Sequence, residues 1–391
     1  MPDTVSTIRA AASSPTASPR RVGLVFGGRS VEHEVSIASA RNIARALCEA
    51  GHAVVPLGVA SDGAWVEEGA ARRALDGEID RLAPLGRTPR ATLHRLLDAD
   101  VDVIFPIVHG TWGEDGALQG LCEMLDLPYV GPDVTASAVA IDKALTKQVL
   151  AAQGLPVVED LVVTASDLTA GGSDLTARCA HLGLPLFVKP ATGGSSVGVH
   201  RVEVLDGLTA AVADALRFAD RVLIERAVVG RELECAVLGP NDALEASAIG
   251  EIRPGESFYD YADKYLEGDA ELIEHAELPS DLEASLRSLA TRAFAAIGGS
   301  GMARVDFLIA PPGDGEEGGP AIFVNEINTL PGFTDISMYP KLWEIAGLEP
   351  ARLVDRLVAI AFDRHGRRRR LDDGIRAWIA ELEARSLDSV P

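Results

Sequence analysis

Residues 22–26 (VGLVF) form a short apolar, β-prone run that Gly27 and Gly28 break, and a helical pattern follows over about 35–50. Strand, glycine turn and helix in that order constrain the fold more than any other stretch. Apolar runs at 52–58 and 101–108, set among helix-like sequence, repeat the alternation and predict a parallel sheet covered by helices. After a helix over 136–152 and a strand near Val157, the pattern changes. Runs at 186–189, 198–202, 222–225, 232–238 and 246–252 follow in close succession, which predicts mostly antiparallel pairing. A helix over 281–297 precedes strands at 303–309 and 321–327, which are separated by the polar loop PPGDGEEGGP. Arg367, Arg368, Arg369 and Arg370 lead into a short amphipathic pattern over 375–382, read as a solvated terminal helix with a basic lead-in.

A chain of 391 residues has room for two or three domains. Acidic residues outnumber basic ones 58 to 36, and the formal charge of −22 argues against nucleic acid or an anionic membrane as partner. No apolar run approaches the ~18–20 residues of a membrane span. Residues 1–20 are Ser/Thr/Ala/Pro-rich without the apolar core of a signal peptide, so the expected localisation is cytoplasmic. Cys48, Cys122, Cys179 and Cys235 lie far apart among mostly apolar neighbours, which reads as reduced core thiols and not as a metal site.

The chemistry-bearing residues gather at strand ends. Gly27 and Gly28 lack the G-x-G-x-x-G spacing of a dinucleotide site, but Glu32, His33, Glu34 and Ser36 crowd the helix start beyond the first strand, where open α/β sheets bind ligands. His109 opens the glycine-rich stretch HGTWGEDG directly after another strand. In KPATGGSSVG a strand ending in Lys189 runs into glycines and serines whose N–H and hydroxyl donors suit phosphate oxygens. Glu225, Glu232 and Glu234 either pair with Arg231 or accept bonds from adenine and ribose; spacing alone leaves both readings open. Arg304 with Asp306, and Glu326 with Asn328, are each two apart and share a strand face. Three oxygen donors thus converge beside one arginine, a set that suits Mg²⁺. A simple Arg304–Asp306 ion pair would leave Asn328 an unexplained polar group among apolar residues.

Five strings, GGRSVEHEVS, HGTWGEDGALQG, KPATGGSSVGV, FYDYADKY and NEINTLPGFTDISMYPKLW, occur in the order found in D-alanine:D-alanine ligases of the ATP-grasp superfamily, which the chain resembles over about 22–364. The resemblance implies an α/β ATP-grasp fold of three consecutive α/β domains with an N-terminal Rossmann-like parallel sheet. The expected division is a disordered tail (1–20), the Rossmann-like domain (21–140), a central ATP-grasp subdomain (141–230), a C-terminal one with the metal site (231–366) and a helical extension (367–391). The departures are the N-terminal tail, the PPGDGEEGGP loop, the C-terminal helix and Arg226, where many relatives are acidic.

By the same resemblance, Lys143 and Lys189 contact ATP phosphates, Glu225 and Glu232 hold adenine and ribose, and Lys264 reaches the γ-phosphate from a lid at 258–265. Asp306, Glu326 and Asn328 bind two Mg²⁺ (or Mn²⁺). Glu32 anchors the ammonium of the first D-alanine, His109 lines its site, and Ser337 lies near the carboxylate of the second. Arg304 and the Gly332 N–H stabilise the oxyanion, while Ser195 and Tyr265 tie the lid to Glu32. Peptide-forming members carry a tyrosine after the lid lysine, as Lys264-Tyr265 does here, which implies D-alanyl-D-alanine as product; D-lactate and D-serine ligation are the alternatives. A non-catalytic nucleotide-binding regulator would lack a metal ligand, the arginine or a lysine, and none is missing. The family also implies a homodimer.

Overall fold

The computed structural model describes residues 18–169, 172–253, 271–311 and 319–388. Three sheets follow one another along the chain. The first holds β1 (Arg21–Gly27), β2 (Ala53–Val59) and β3 (Val103–Pro106), all parallel in the order β2-β1-β3. Central β1 is buried along almost its whole length, as an apolar strand covered on both faces must be. Its last residue, Gly27, has φ +89° and lies so close to β2 that a Cβ there would meet the Val59 carbonyl oxygen at 2.2 Å, which explains the glycine.

The second sheet has the order β4-β7-β5-β6, from β4 (Asp160–Thr164), β5 (Leu186–Pro190), β6 (His200–Val202) and β7 (Arg221–Arg226). The third has the order β10-β9-β8-β11-β12, from β8 (Arg231–Gly239), β9 (Glu245–Arg253), β10 (Glu271–Ile273), β11 (Gly301–Ala310) and β12 (Ala321–Asn328). Every pairing in these two sheets is antiparallel, as the close succession of runs predicts. Alternation along β8, β11 and β12 sets the character of the third sheet. Leu233, Cys235, Val237, Ala303, Val305, Phe307 and Val324 pack with Leu286, Ala290, Ala293 and Phe294 of the helix Ser280–Ala296. The opposite face is left with the charged residues.

Several sequence expectations need correction. The helix expected over 136–152 is two helices, Val134–Ile141 and Lys143–Ala152. Asp142 separates them in an extended conformation (φ −96°, ψ 99°) and caps the second through its side chain, accepting the Leu145 N–H at 3.1 Å. The strand expected near Val157 begins at Asp160. The amphipathic pattern at 375–382 is not a separate element: one helix runs unbroken over Pro350–Asp388. Its first half buries Leu353, Val354, Leu357, Val358 and Ala361 in a core shared with β1 and the helix His33–Glu49. Cys122, Cys179 and Cys235 are buried, with burial pushing the Cys122 and Cys235 thiols up to about 12, but Cys48 is exposed on the outer face of the helix His33–Glu49.

Candidate active site

Two adjoining cavities lie over the charged face of the third sheet. The smaller, about 200 Å³, is closed on the far side by the helix start at Glu32 and by the loop after β3. The larger, about 320 Å³, lies between the second and third sheets. Lys143, Ser195, Arg304 and Glu326 belong to the walls of both. Every expected site residue among the described ones lines one cavity or the other: Glu32, His109, Asn328, Gly332 and Ser337 the smaller, Lys189, Glu225, Glu232 and Asp306 the larger. Lys264 and Tyr265 lie outside the described residues.

Strand register assembles the floor. Arg304 pairs with Asn328 and Asp306 with Glu326 across β11 and β12, while Glu234 of β8 sits opposite Asp306 on the other side. The register of β12 slips after Glu326, so Asn325 is an extra residue that also lines the larger cavity. Arg304 grips Asp306 with two parallel bonds of 2.7 Å and meets Glu234 at 3.0 Å. Burial opposes its charge, but the two carboxylates outweigh that and hold the guanidinium pKa well above its ordinary value. Asn328 Nδ2 donates to Asp306 at 2.9 Å, so the ion pair does account for the amide that the sequence left unexplained.

This geometry bears on the metal expectation. Among the described residues no group of three or more His, Cys, Asp or Glu is gathered as a metal cluster. The donor set of Asp306, Glu326 and Asn328 nevertheless fits Mg²⁺: hard oxygens, few carboxylates, and a cavity beside them to admit phosphate and water.

At the rear of the larger cavity Glu225 accepts from Lys147 and Lys189, both at 2.9 Å, and Lys147 also meets Asp160 at 3.0 Å. Burial alone would raise the Glu225 carboxyl, yet the two lysines bring it down to about 2. Lys147 is absent from the sequence reading. Its one signal is the four-residue spacing from Lys143, which puts both on one helix face. Arg231 pairs with Glu251 and not with Glu232 or Glu234.

The first sheet's loops close the smaller cavity. Ser195 Oγ donates to Glu32, joining the glycine loop to the start of the helix His33–Glu49. Lys143 Nζ donates to the Gly193 carbonyl at 2.7 Å, steadying the same loop. His109 Nδ1 lies 3.0 Å from the Leu330 carbonyl, which only accepts, so the proton sits on Nδ1. Its Nε2 is buried and has no hydrogen-bond partner among the described residues. Glu114 accepts from the Gly110 and Leu330 N–H groups at 2.6 and 3.0 Å, and burial raises its carboxyl against the pull of His109. Leu330 is thus held at both its N–H and its C=O two residues before Gly332. A Cβ at Gly332 would meet Ser337 Oγ at 2.6 Å, so the backbone there approaches Ser337 as only glycine allows.

Residues 21–132 match the family described as D-ala D-ala ligase N-terminus, and residues 149–359 match D-ala D-ala ligase C-terminus. The D-alanine--D-alanine ligase of Sodalis glossinidius is 44% identical over 357 residues, covering 88% of this chain and 95% of that protein. Among solved structures, the D-alanine-D-alanine ligase from Coxiella burnetii superposes with a TM-score of 0.76 at 36% identity, over 94% of this chain and 100% of that one. The VanG D-Ala:D-Ser ligase from Enterococcus faecalis superposes with a TM-score of 0.73 at 30% identity, over 88% and 100%.

Proposed function

The chain belongs to the D-alanine:D-alanine ligase family of ATP-grasp enzymes, and on that premise we propose which residue carries each step. The reaction is ATP-dependent ligation of two D-alanine molecules to D-alanyl-D-alanine through an acyl phosphate, for peptidoglycan precursor synthesis. ATP takes the larger cavity, with Lys143 and Lys189 on its phosphates, Glu225 and Glu232 on adenine and ribose, and Lys264 on the γ-phosphate. The first D-alanine takes the smaller cavity, its ammonium held by Glu32 and its site walled by His109. Its carboxylate attacks the γ-phosphorus, and ADP leaves. The amine of the second D-alanine, whose carboxylate lies near Ser337, loses a proton and attacks the activated carbonyl, and phosphate leaves. Arg304 and the Gly332 N–H hold the negative oxygen that develops between these events. Asp306, Glu326 and Asn328 would hold two Mg²⁺ (or Mn²⁺) ions, whose contribution is to neutralise charge on the phosphates.

The observation that supports this best is the shared wall. Lys143, Ser195, Arg304 and Glu326 border both cavities, so a nucleotide in one and an amino acid in the other meet at groups suited to phosphoryl and acyl transfer. The Ser195–Glu32 bond fits a link between the glycine loop and the first substrate's anchor, with Tyr265 as its third member. The reading includes the division at 21–140, 141–230 and 231–366 with ATP between the last two, a homodimer, and action in the cytoplasm; among the described residues no helix is long and apolar enough to cross a membrane.

The test offers D-alanine, D-lactate and D-serine together with ATP and identifies the product by mass. D-Alanyl-D-alanine with D-alanine-dependent phosphate release is expected. A product dominated by D-alanyl-D-lactate or D-alanyl-D-serine near neutral pH overturns the substrate assignment, and no product overturns the catalytic one.

A further inference from the structure

Three carboxylates stand in one row across the third sheet. Glu234 of β8 pairs with Asp306 of β11, and Asp306 pairs with Glu326 of β12, so like charges lie directly opposite one another on three neighbouring strands. Such a row is unfavourable unless cations are set into it. Arg304 meets Glu234 at 3.0 Å and Asp306 at 2.7 Å, and Lys143 Nζ lies 3.9 Å from Glu326. Exposure rises along the row: the side chain of Glu234 is 4% exposed, that of Asp306 14% and that of Glu326 29%. The outer two carboxylates can meet a ligand, whereas one as buried as Glu234 keeps its charge only with a cation beside it. None of the roles proposed above falls to Glu234, although it borders both cavities.

Asp306 has competing demands on it. Its Oδ1 accepts from Arg304 Nε, and its Oδ2 accepts from both Arg304 and Asn328, which fills the two lone pairs of that oxygen. A divalent cation held through Oδ2 therefore displaces one of these bonds, and held through either oxygen it repels the guanidinium alongside. Arg304 then needs a second anchor to stay where it reaches the oxyanion.

We propose, resting on the ligase reading above, that Glu234 is the positioning residue for Arg304: it keeps the guanidinium at the seam of the two cavities while Asp306 turns from Arg304 to Mg²⁺. Arg304 thus has one exchangeable partner and one fixed partner. The exchangeable one is the more exposed and is shared with Asn328; the fixed one is buried on the far side of β11 from Glu326. Without Glu234, releasing Asp306 would leave a largely buried guanidinium short of a counter-charge, so the release itself becomes costly.

The test compares Glu234→Gln, which keeps the shape and removes the charge, with Glu234→Asp, which keeps the charge and shortens the reach. Circular dichroism and urea unfolding check the fold. Calorimetric titration with ADP, once in excess Mn²⁺ and once in EDTA, needs no turnover, and the ratio of the two affinities isolates what the cation adds. In Glu234→Gln that ratio, and kcat at saturating metal and substrates, should each fall by about 10–100-fold. ADP affinity in EDTA should stay within a few-fold of wild type, which a general distortion of the site would not allow. Glu234→Asp should lose only a few-fold in both readings, and it decides alone if Glu234→Gln does not fold: wild-type values for both would then overturn the proposal.

An unmoved ratio and kcat in folded Glu234→Gln overturn it outright. A lower ratio with wild-type kcat makes Glu234 a charge acting on the metal site and not a support for Arg304, which overturns it as well. A lower kcat with the ratio intact shows that Asp306 leaves Arg304 without help from Glu234, and the exchange is wrong. These failures would be seen in a chain that still makes product, whereas a wild type that makes none is the failure of the ligase reading. A wild type that binds ADP equally well in Mn²⁺ and in EDTA overturns the metal assignment and this proposal together.

Discussion

Two charged clusters meet over the larger cavity, and they are built in opposite ways. On the third sheet, Arg304, Asp306, Glu326 and Asn328 come from two neighbouring strands and face the two adjoining cavities because strand residues two apart must share a side. Behind the second sheet, Glu225 draws Lys147 from a helix, Lys189 from β5 and, through Lys147, Asp160 from β4. The first cluster is half-open, while in the second Glu225 and Lys147 are only 5% and 4% exposed. An open cluster can exchange its internal bonds for substrate; in the closed one Lys147 and Asp160 stay bonded behind the wall while Lys189 and Glu225 border the larger cavity. The first is therefore expected to govern the rate, and the second the stability and the shape of the nucleotide site.

Breaking the open cluster should have the largest effect. Glu326→Ala or Asn328→Ala removes an oxygen donor where charge must be neutralised during phosphoryl transfer, and kcat should fall by about 10²–10³-fold or more with the fold retained. Arg304→Lys should be comparably severe, because a point charge cannot replace a fork that grips Asp306 with two bonds and still faces the cavity. Steady-state kinetics at saturating ATP and D-alanine check this. A variant that keeps more than about a tenth of kcat, a loss of only ~1.4 kcal/mol, would contradict the assigned roles.

Breaking the buried cluster should instead be seen in unfolding. Lys147→Met strands Asp160 and half of Glu225 without a cation, at a cost of about 3 kcal/mol or more in urea unfolding. The KM for ATP should rise, with kcat changed only a few-fold. If kcat collapses while stability holds, the division of labour between the clusters is wrong.

Acid probes the same cluster with slightly smaller effect. Glu225 has its folded pKa depressed from 4.5 to about 2, so its contribution is complete above the unfolded value and drains away as pH falls from about 5 toward 2. That interval corresponds to about 3 kcal/mol. Glu225→Gln should be less stable at neutral pH and should flatten the acid limb of the stability curve. An acid limb with unchanged slope would show that other carboxylates control it.

The contrast between the clusters also explains what was legible in the sequence. Arg304, Asp306, Glu326 and Asn328 could be read as one group because a two-residue period is local, and the family strings supplied the order of the parts. The pairing of Lys147 with Glu225 spans 78 positions and joins a helix to a sheet, so no local period announces it. The break at Asp142 was hidden for a related reason. The helical pattern runs across it, and only the folded chain shows Asp142 capping the next helix and taking a bond from Arg221 of β7. The arrest of Leu330 by Glu114 and His109 is longer in range still, at more than 200 positions. Sheet faces are written locally, and the contacts that aim the loops above them are not.

Ser195 tests the seam between the two cavities with the smallest expected effect. It and Ser196 have φ of +53° and +55°, a left-handed conformation that costs a non-glycine residue about 1 kcal/mol or more. Glycine would fit the backbone better, and Gly193 and Gly194 precede it in the same loop, so a serine here needs a reason. The hydroxyl bond to Glu32 supplies one, since it ties the phosphate-side loop to the carboxylate expected to anchor the first ammonium. Ser195→Ala keeps the strain and loses the bond, whereas Ser195→Gly relieves the strain and loses the same bond. If the bond matters for the reaction, both should lower kcat/KM for D-alanine by roughly ten-fold, the scale of one hydrogen bond to a charged group. The glycine variant should unfold at higher denaturant than the alanine variant. If Ser195→Gly retains wild-type kcat/KM, the loop's conformation is what the reaction needs and the contact with Glu32 is incidental.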